Sequence, residues 1–391
     1  MEFNEYLLKD IATIIMGQSP KSEYYSDVNG TPFLQGNRTF NNLYPTIDTY
    51  TTKITKTAEK NDILFSVRAP VGEVNIAPFE LCIGRGLSAI RSKNKDNKFL
   101  HYLLIYKLQD IHSKSTGTIF NSINKSTLEN LEIKIPNEKF QKFIGTLLRN
   151  IDNKIELNNK IIANLEELSQ TLFKRWFVDF EFPDENGNPY KSSGGEMIDS
   201  KLGEIPSGWK VDELGNYIKI KSGKRPKNKV DKKDIENVVP IIGASKIMGY
   251  TNDYLYNEKI IIIGRVGTHG VIQRFSTRTW PSDNTFVIIS DFESIVYQVL
   301  KSIDYISLNR GSTQPLLSQK DIKNTKVAMP TNETLLSTYQ KENNHILKMI
   351  DQKNIENQKL TQLRDTLLPK LMSGEIEIPD DIEVNEDELS I

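Results

Sequence analysis

In the middle of the chain, apolar residues recur at steps of four, three or a full seven. They are Ile144, Leu148, Ile151, Ile155, then, past Asn158, Ile162, Leu165, Leu172 and Trp176. A seam with a period of about 3.5 residues asks for a partner helix rather than a globular core. No proline falls between residues 138 and 178, and Gly145 is the one glycine there. The spacing predicts a single helix over 138–178, about 60 Å long at about 1.5 Å per residue and well beyond the usual globular length. A rod of that size in mid-chain reads as a spacer between two modules.

The modules are related. Leu8, Ile11, Ile14, Gly17 and Pro20 return as Leu214, Tyr217, Ile220, Gly223 and Pro226, and Pro32 and Arg38 return as Pro240 and Lys246. Gly117 and Leu128 through Pro136 match Gly311 and Ile322 through Pro330, and Gln141, Ile151, Asp152, Asn158 and Lys160 face Gln340, Ile350, Asp351, Asn357 and Lys359. A common order over so many positions signals an internal duplication. The partner rod is then 334–372, with Pro369 near its end and Ser373-Gly374 to stop it. Asn158 and Asn357 interrupt the two seams at equivalent places, where a polar residue sets register.

Before each rod, short strand patterns outnumber helical ones: 32–38, 62–67, 74–77, 87–90 and 131–135, with a helical spacing over 99–111 and a short amphipathic helix or turn over 7–16. Residues 181–208 are rich in Pro, Gly, Asn and Ser, a composition expected to form a linker without a core. From Glu375 onward the chain carries eight acidic residues and no basic one, a tail expected to be mobile, so the remaining chain is net basic although the total is −1. A single cysteine, Cys82, excludes an internal disulfide framework and fits a reducing, cytoplasmic compartment; no signal peptide or membrane-spanning run is visible.

Catalytic signatures are missing. There is no phosphate loop and no dinucleotide fingerprint, and Arg265-Val-Gly-Thr-His-Gly has the wrong glycine spacing for either. The four histidines, His101, His112, His269 and His345, are scattered, and with one cysteine they build no metal site. Glu129 with Glu132-Ile-Lys134 has the acid-x-lysine spacing of a metal-dependent nuclease strand. Its repeat partner, Lys323 with Lys326-Val-Ala328, has no acid, and strand alternation explains Glu132 and Lys134 as a solvent face.

The positive signals lie in loops. Arg68 and Arg265 each follow an apolar strand, and Arg38 and Lys246 hold equivalent turns. Thr118, Arg310 and Gln314 sit in hydroxyl- and amide-rich turns, and Arg225 and Lys227 belong to a lysine-rich run over 218–233. Such side chains suit phosphate positioning and base readout. Each alone is equally an ordinary solvated loop residue; their pairing across the repeat favours nucleic acid.

Five stretches resemble the DNA specificity subunit of type I restriction–modification systems. They are Asp62-Ile-Leu-Phe-Ser-Val-Arg-Ala-Pro-Val-Gly, Gln170-Thr-Leu-Phe-Lys-Arg-Trp-Phe-Val-Asp-Phe, Pro189-Tyr-Lys-Ser-Ser-Gly-Gly-Glu-Met, Gly203-Glu-Ile-Pro-Ser-Gly-Trp and Leu363-Arg-Asp-Thr-Leu-Leu-Pro-Lys-Leu-Met-Ser-Gly. The resemblance implies an α+β chain: two similar mixed α/β target-recognition domains separated by two long helices paired as an antiparallel coiled coil. The expected order is a recognition domain over 1–137, a helix over 138–180, a linker over 181–208, a second recognition domain over 209–333, a helix over 334–374 and an acidic tail over 375–391. The implied function is reading a bipartite target in double-stranded DNA and directing methyltransferase and restriction (translocase) subunits to it. The chain itself is expected to be non-catalytic, without metal, cofactor or membrane; S-adenosylmethionine, ATP and magnesium belong to the partner subunits. The expected DNA contacts are Arg38, Arg68, Arg85, Thr118, Arg225, Lys227, Lys246, Arg265, Arg310 and Gln314. The expected helix-pair and subunit interface comprises Ile151, Ile155, Asn158, Ile162, Leu165, Ile350, Asn357, Leu360 and Leu367. The rival readings are a stand-alone DNA nuclease and a protein-only coiled-coil scaffold.

Overall fold

The computed structural model describes residues 2–114, 122–231, 233–266, 270–308, 316–379 and 381–382. Contacts divide the chain into two units, Met1–Lys160 with Asn354–Ile391, and Ile161–Lys353. Each unit holds one half of each of two long helices, Glu138–Phe177 and Glu333–Ser373.

In the first unit an antiparallel sheet runs in the order Ala12–Met16, Leu87–Ser92, Ile63–Ser66, Val74–Ile76. Its two inner strands, Leu87–Ser92 and Ile63–Ser66, are buried almost throughout because both faces are covered. Ile63 and Phe65 join the helix side with Phe99, Leu103, Ile144 and Leu148, whereas Leu64 joins Leu34, Leu81 and Ile83 on the other. The second unit repeats the order with Lys219–Ser222, Thr285–Ile289, Ile260–Gly264 and Ile272–Phe275. Register is kept as well: Leu87 opposes Ser66 where Thr285 opposes Gly264, and the parallel pair Phe33–Cys82 returns as Ile241–Trp280. A two-stranded ribbon, Phe3–Leu7 on Glu132–Pro136, likewise returns as Trp209–Glu213 on Lys326–Pro330.

Three local expectations need correction. Residues 7–16 are not one helix or turn: a single helical turn, Leu8–Ile11, leads into a strand, Ala12–Met16, whose Ala12 and Ile14 are buried while Thr13 is exposed. The 181–208 segment does contribute to a core. Phe182 and Ile205 are buried there, the Phe182 ring lies 4.6 Å from Tyr190 and 5.5 Å from Trp209, and Met197–Ser200 pairs with Gly203–Pro206 as a hairpin. A few aromatic rings outweigh the polar composition around them. At the start of the acidic tail, Ile378 is buried and Ile376 and Ile382 pack against the first core; residues 383–391 lie outside the described residues.

The long helices run antiparallel, since partner numbers fall along one as they rise along the other. In the first unit Asp152 meets Arg364 and Asn158 meets Asn357; in the second Ser169 meets Asn343 and Phe173 meets Tyr339. Ile151, Ile155, Leu360 and Leu367 form one apolar cluster of the seam, and Ile350 is buried in the second core with Ile162 and Leu165 packed against it. The two repeat-equivalent asparagines bond each other, Asn158 Nδ2 donating to Asn357 Oδ1 at 2.9 Å. Gly145 is explained by proximity: a Cβ there would lie 2.5 Å from the Phe99 nitrogen.

The seam is polar at points the apolar spacing did not reveal. Asp152 is buried, accepts from Tyr102 Oη at 2.5 Å, and takes Arg364 Nη1 at 2.7 Å. Burial, then the Asp152 charge, pushes the Tyr102 phenol well up; burial, then Arg149 and Arg364, drives the His101 imidazole well down. The equivalent carboxylate, Asp351, takes Arg274 Nη2 at 2.6 Å, and Arg274 also donates to Glu293 at 3.2 Å. A buried carboxylate that loses its cation is strongly destabilising, whereas an exposed ion pair contributes little. Arg364→Ala is therefore expected to cost about 3–5 kcal/mol in denaturant unfolding. Lys154→Ala, which loses only the 3.9 Å contact to Glu356, should cost less than about 1 kcal/mol. Equal losses from the two variants would contradict this account.

Candidate nucleic-acid interface

Beyond the central sheet of the first unit, three backbone segments lock together. Gly17 N donates to Leu87 O at 2.9 Å, Gln18 N to Ile83 O at 2.9 Å, Gly84 N to Leu34 O at 2.8 Å and Gly86 N to Gln35 O at 3.1 Å. The approach is close enough to demand glycine: a Cβ on Gly17 would sit 2.2 Å from Gly84 O. The second unit builds the same platform. Gly223 N donates to Thr285 O at 3.0 Å, Lys224 N to Pro281 O at 3.0 Å and Ser282 N to Ile242 O at 2.9 Å, and a Cβ on Gly223 would sit 2.1 Å from Ser282 O.

On the first platform Gln18, Gln35 and Arg85 are exposed, and they line an open hollow of about 450 Å³ together with Ser19 and Tyr25. Ser19 Oγ accepts from the Arg85 backbone nitrogen at 3.1 Å, which fixes that residue's main chain. A neighbouring hollow of about 330 Å³ shares Tyr25 and Gln35 and adds Asn37, Arg38 and Asp48. Arg38 is tied down, with Nη2 2.7 Å from Asp48, and its hydrogen bond holds the Asp48 carboxyl below the usual range. Asn37 donates to Glu73 at 2.7 Å. On the second platform Lys224, Arg225, Lys227, Lys246 and Asp283 are exposed, and the Lys224 carbonyl accepts from Trp280 Nε1 at 2.8 Å. Gln18, Gln35 and Asp283 are exposed on the platforms without a sequence signal that singles them out, although Gln18 stands between the repeat-matched Gly17 and Pro20.

Arg68 and Arg265 are not equivalent, as their shared position after a strand had suggested. Val67 N donates to Gly86 O and Arg265 N to Asn284 O, both at 2.9 Å, so Arg265 matches Val67 and Arg68 matches Val266. One step of register turns a side chain to the other face. Arg68 is exposed, whereas Arg265 is half-buried with its guanidinium 5.8 Å from the Phe286 ring. Thr118, Arg310, Gln314 and His269 lie outside the described residues, as does the side chain of His112.

The nuclease-like strand is occupied with folding: Lys134 pairs across the ribbon with Glu5 at 2.7 Å, and Glu129 pairs with Lys125 at 3.5 Å. His101 and Cys82 are core residues. Among the described residues no cluster of His, Cys, Asp and Glu could hold a metal ion, and no helix is long and apolar enough to cross a membrane.

A family model described as the type I restriction modification DNA specificity domain matches residues 1–167 and again 206–365. The MjaIX specificity subunit of a type I restriction enzyme from Methanocaldococcus jannaschii is 28% identical over 417 residues, covering 95% of this chain and 93% of that one. A chain assigned as the MjaX specificity subunit from the same organism is 45% identical over 162 residues, covering 41% of this chain and 38% of that one. Among solved structures, the S subunit of a type I restriction–modification system from M. genitalium matches with a TM-score of 0.61 at 20% identity over 97% of both chains, a likeness of fold.

The platform makes a direct prediction. Gly17→Ala and Gly223→Ala force backbone apart and should each cost about 1–3 kcal/mol or more in thermal or denaturant unfolding. Gly36→Ala, with nothing within 4 Å of its Cβ, should leave stability unchanged. A neutral Gly17→Ala would show that the segments are not locked.

Proposed function

Because the chain belongs to the family of type I restriction–modification DNA specificity subunits, we propose that it reads a two-part DNA target, one block per recognition domain, and directs methyltransferase and restriction subunits to it. Members of this family recognise DNA sequence and are not the catalysts of their complexes. The observation that supports a two-part target is the platform built twice in one register, each copy carrying exposed polar side chains. One duplex-facing surface would need a single platform; two platforms of different side-chain chemistry suit two short blocks with unread bases between.

In this reading the paired helices set the spacing of the blocks and also present surface to the methyltransferase subunits. Leu157, Leu168 and Leu363 are large apolar residues exposed on the two helices, where contact with another protein would bury them. S-adenosylmethionine would be bound by those subunits, and ATP and magnesium by the restriction subunits.

Arg68→Ala should weaken DNA binding by the assembled complex and leave the melting temperature unchanged. A flatter salt slope, with affinity lost evenly over sequences, would mark Arg68 as a phosphate contact. Arg265→Ala should lower the melting temperature. Binding by Arg68→Ala equal to the parent would remove Arg68 from the interface.

The spacing itself is testable in cells. One heptad inserted after Lys160 and another after Lys359 adds about 10 Å to a helix, or about three base steps if the helices follow the duplex. Methylome sequencing of cells carrying the complete system should then show the same two blocks with a longer gap. Changed blocks with an unchanged gap would show that the helices do not set the spacing.

A further inference from the structure

The two platforms share a backbone and differ in what they hold out from it. Matching hydrogen bonds align Gly84 with Ser282, since each donates to the repeat-equivalent carbonyl, Leu34 O or Ile242 O. The next residue is Arg85 in the first unit and Asp283 in the second, and both are exposed. By the same alignment Gln18 is replaced by Lys224, and Gln35 by Gly243. At one backbone position, then, the protein presents a fork of five donors in one unit and a pure acceptor in the other.

None of the side-chain heads of Gln18, Gln35, Arg85 and Asp283 has a hydrogen-bond or ion-pair partner among the described residues, in contrast to Arg38, which is held by Asp48. Platform hydrogen bonds hold the backbone around them, so their heads are presented from defined points without being consumed by the fold. An unpaired carboxylate on the platform that also carries the exposed Lys224 has no use against phosphate, which would repel it. It is a good acceptor for the amino group of cytosine, as arginine is a bidentate donor to guanine and glutamine a bidentate partner of adenine.

Resting on the DNA-reading function above, we propose that Arg85 reads a guanine in the block recognised by the first unit, with Gln18 and Gln35 reading beside it, and that Asp283 reads a cytosine amino group in the block recognised by the second. The second block is read by an acceptor where the first is read by a donor, so the two units read different base atoms from the same backbone position.

The test begins with methylome sequencing of cells carrying the complete system, which gives the parental motif. A motif in one uninterrupted block would overturn the two-part reading itself, whichever bases Arg85 and Asp283 touch. With a two-part motif in hand, the complex of this chain with its methyltransferase subunits is bound to duplexes substituted one position at a time. The parent should lose on the order of tenfold to a hundredfold in affinity when one guanine of one block becomes 7-deazaguanine, which lacks the N7 acceptor. The Arg85→Ala complex should bind both duplexes alike, with the other block read as before. Asp283→Ala should abolish discrimination at one cytosine of the other block and nowhere else. Variants that discriminate at every position as the parent does overturn the proposal while leaving the two-part target intact. Loss of discrimination at all positions together, with an unchanged melting temperature, would make these residues general binding contacts and overturn it equally.

Discussion

A carboxylate taken out of water needs a cation and hydrogen-bond donors at fixed places; this chain buries Asp152 in the first repeat and holds its half-buried counterpart, Asp351, at the same point of the second. Asp152 is reached by Tyr102 from a helix of the first domain and by Arg364 from the second long helix. Asp351 is reached by Arg274 from the last strand of the second central sheet, and the same guanidinium also touches Glu293 and the Leu347 carbonyl. Sliding either helix by one residue would leave a buried charge unpaired, at a cost of several kcal/mol. The apolar seam supplies attraction, and these carboxylates supply register. Ser169 adds a further polar point, taking a hydrogen bond from Gln298 and giving one to Asn343, both at 2.7 Å.

Each domain separates its scaffold from the side chains that it presents. The glycines and backbone bonds of the platform fix where Arg85 or Asp283 begins, and nothing in the fold depends on what those side chains are. A reader of DNA that must change its target without losing its structure needs that separation, because exposed substitutions cost little and buried ones cost much. The ion pair of Arg38 with Asp48 shows the contrary arrangement, in which a cation is spent within the loop that carries it.

The large features were legible because they repeat. The helices announced themselves through a 3.5-residue period, and the duplication through matched positions, of which Gly17 and Gly223 turn out to sit where backbones crowd. What stayed hidden depends on contacts distant in sequence. Tyr102 and Asp152 look like surface polar residues until the fold buries both. The strand Ala12–Met16 was masked by a helical spacing of Leu8, Ile11 and Ile14, and a two-residue alternation is hard to see over five residues. The one-step shift between Arg68 and Arg265 could not be read from two apolar strands, since every residue of both is buried and no polar alternation marks the register.

The way the first core is assembled bears on how the protein is made. Leu368, Leu371, Met372 and Ile378 pack with Leu8, Ile63, Phe99 and Ile144, and the Phe3 ring lies against Gly374. The second unit, by contrast, is one unbroken stretch of chain. About 200 residues separate the two parts of the first unit, and at about 5–20 residues per second a ribosome takes on the order of ten to forty seconds to deliver the missing part. The domain translated first is thus the last to have all its core residues synthesised. Through that interval its apolar helix face waits, open to chaperones or to a neighbouring nascent chain.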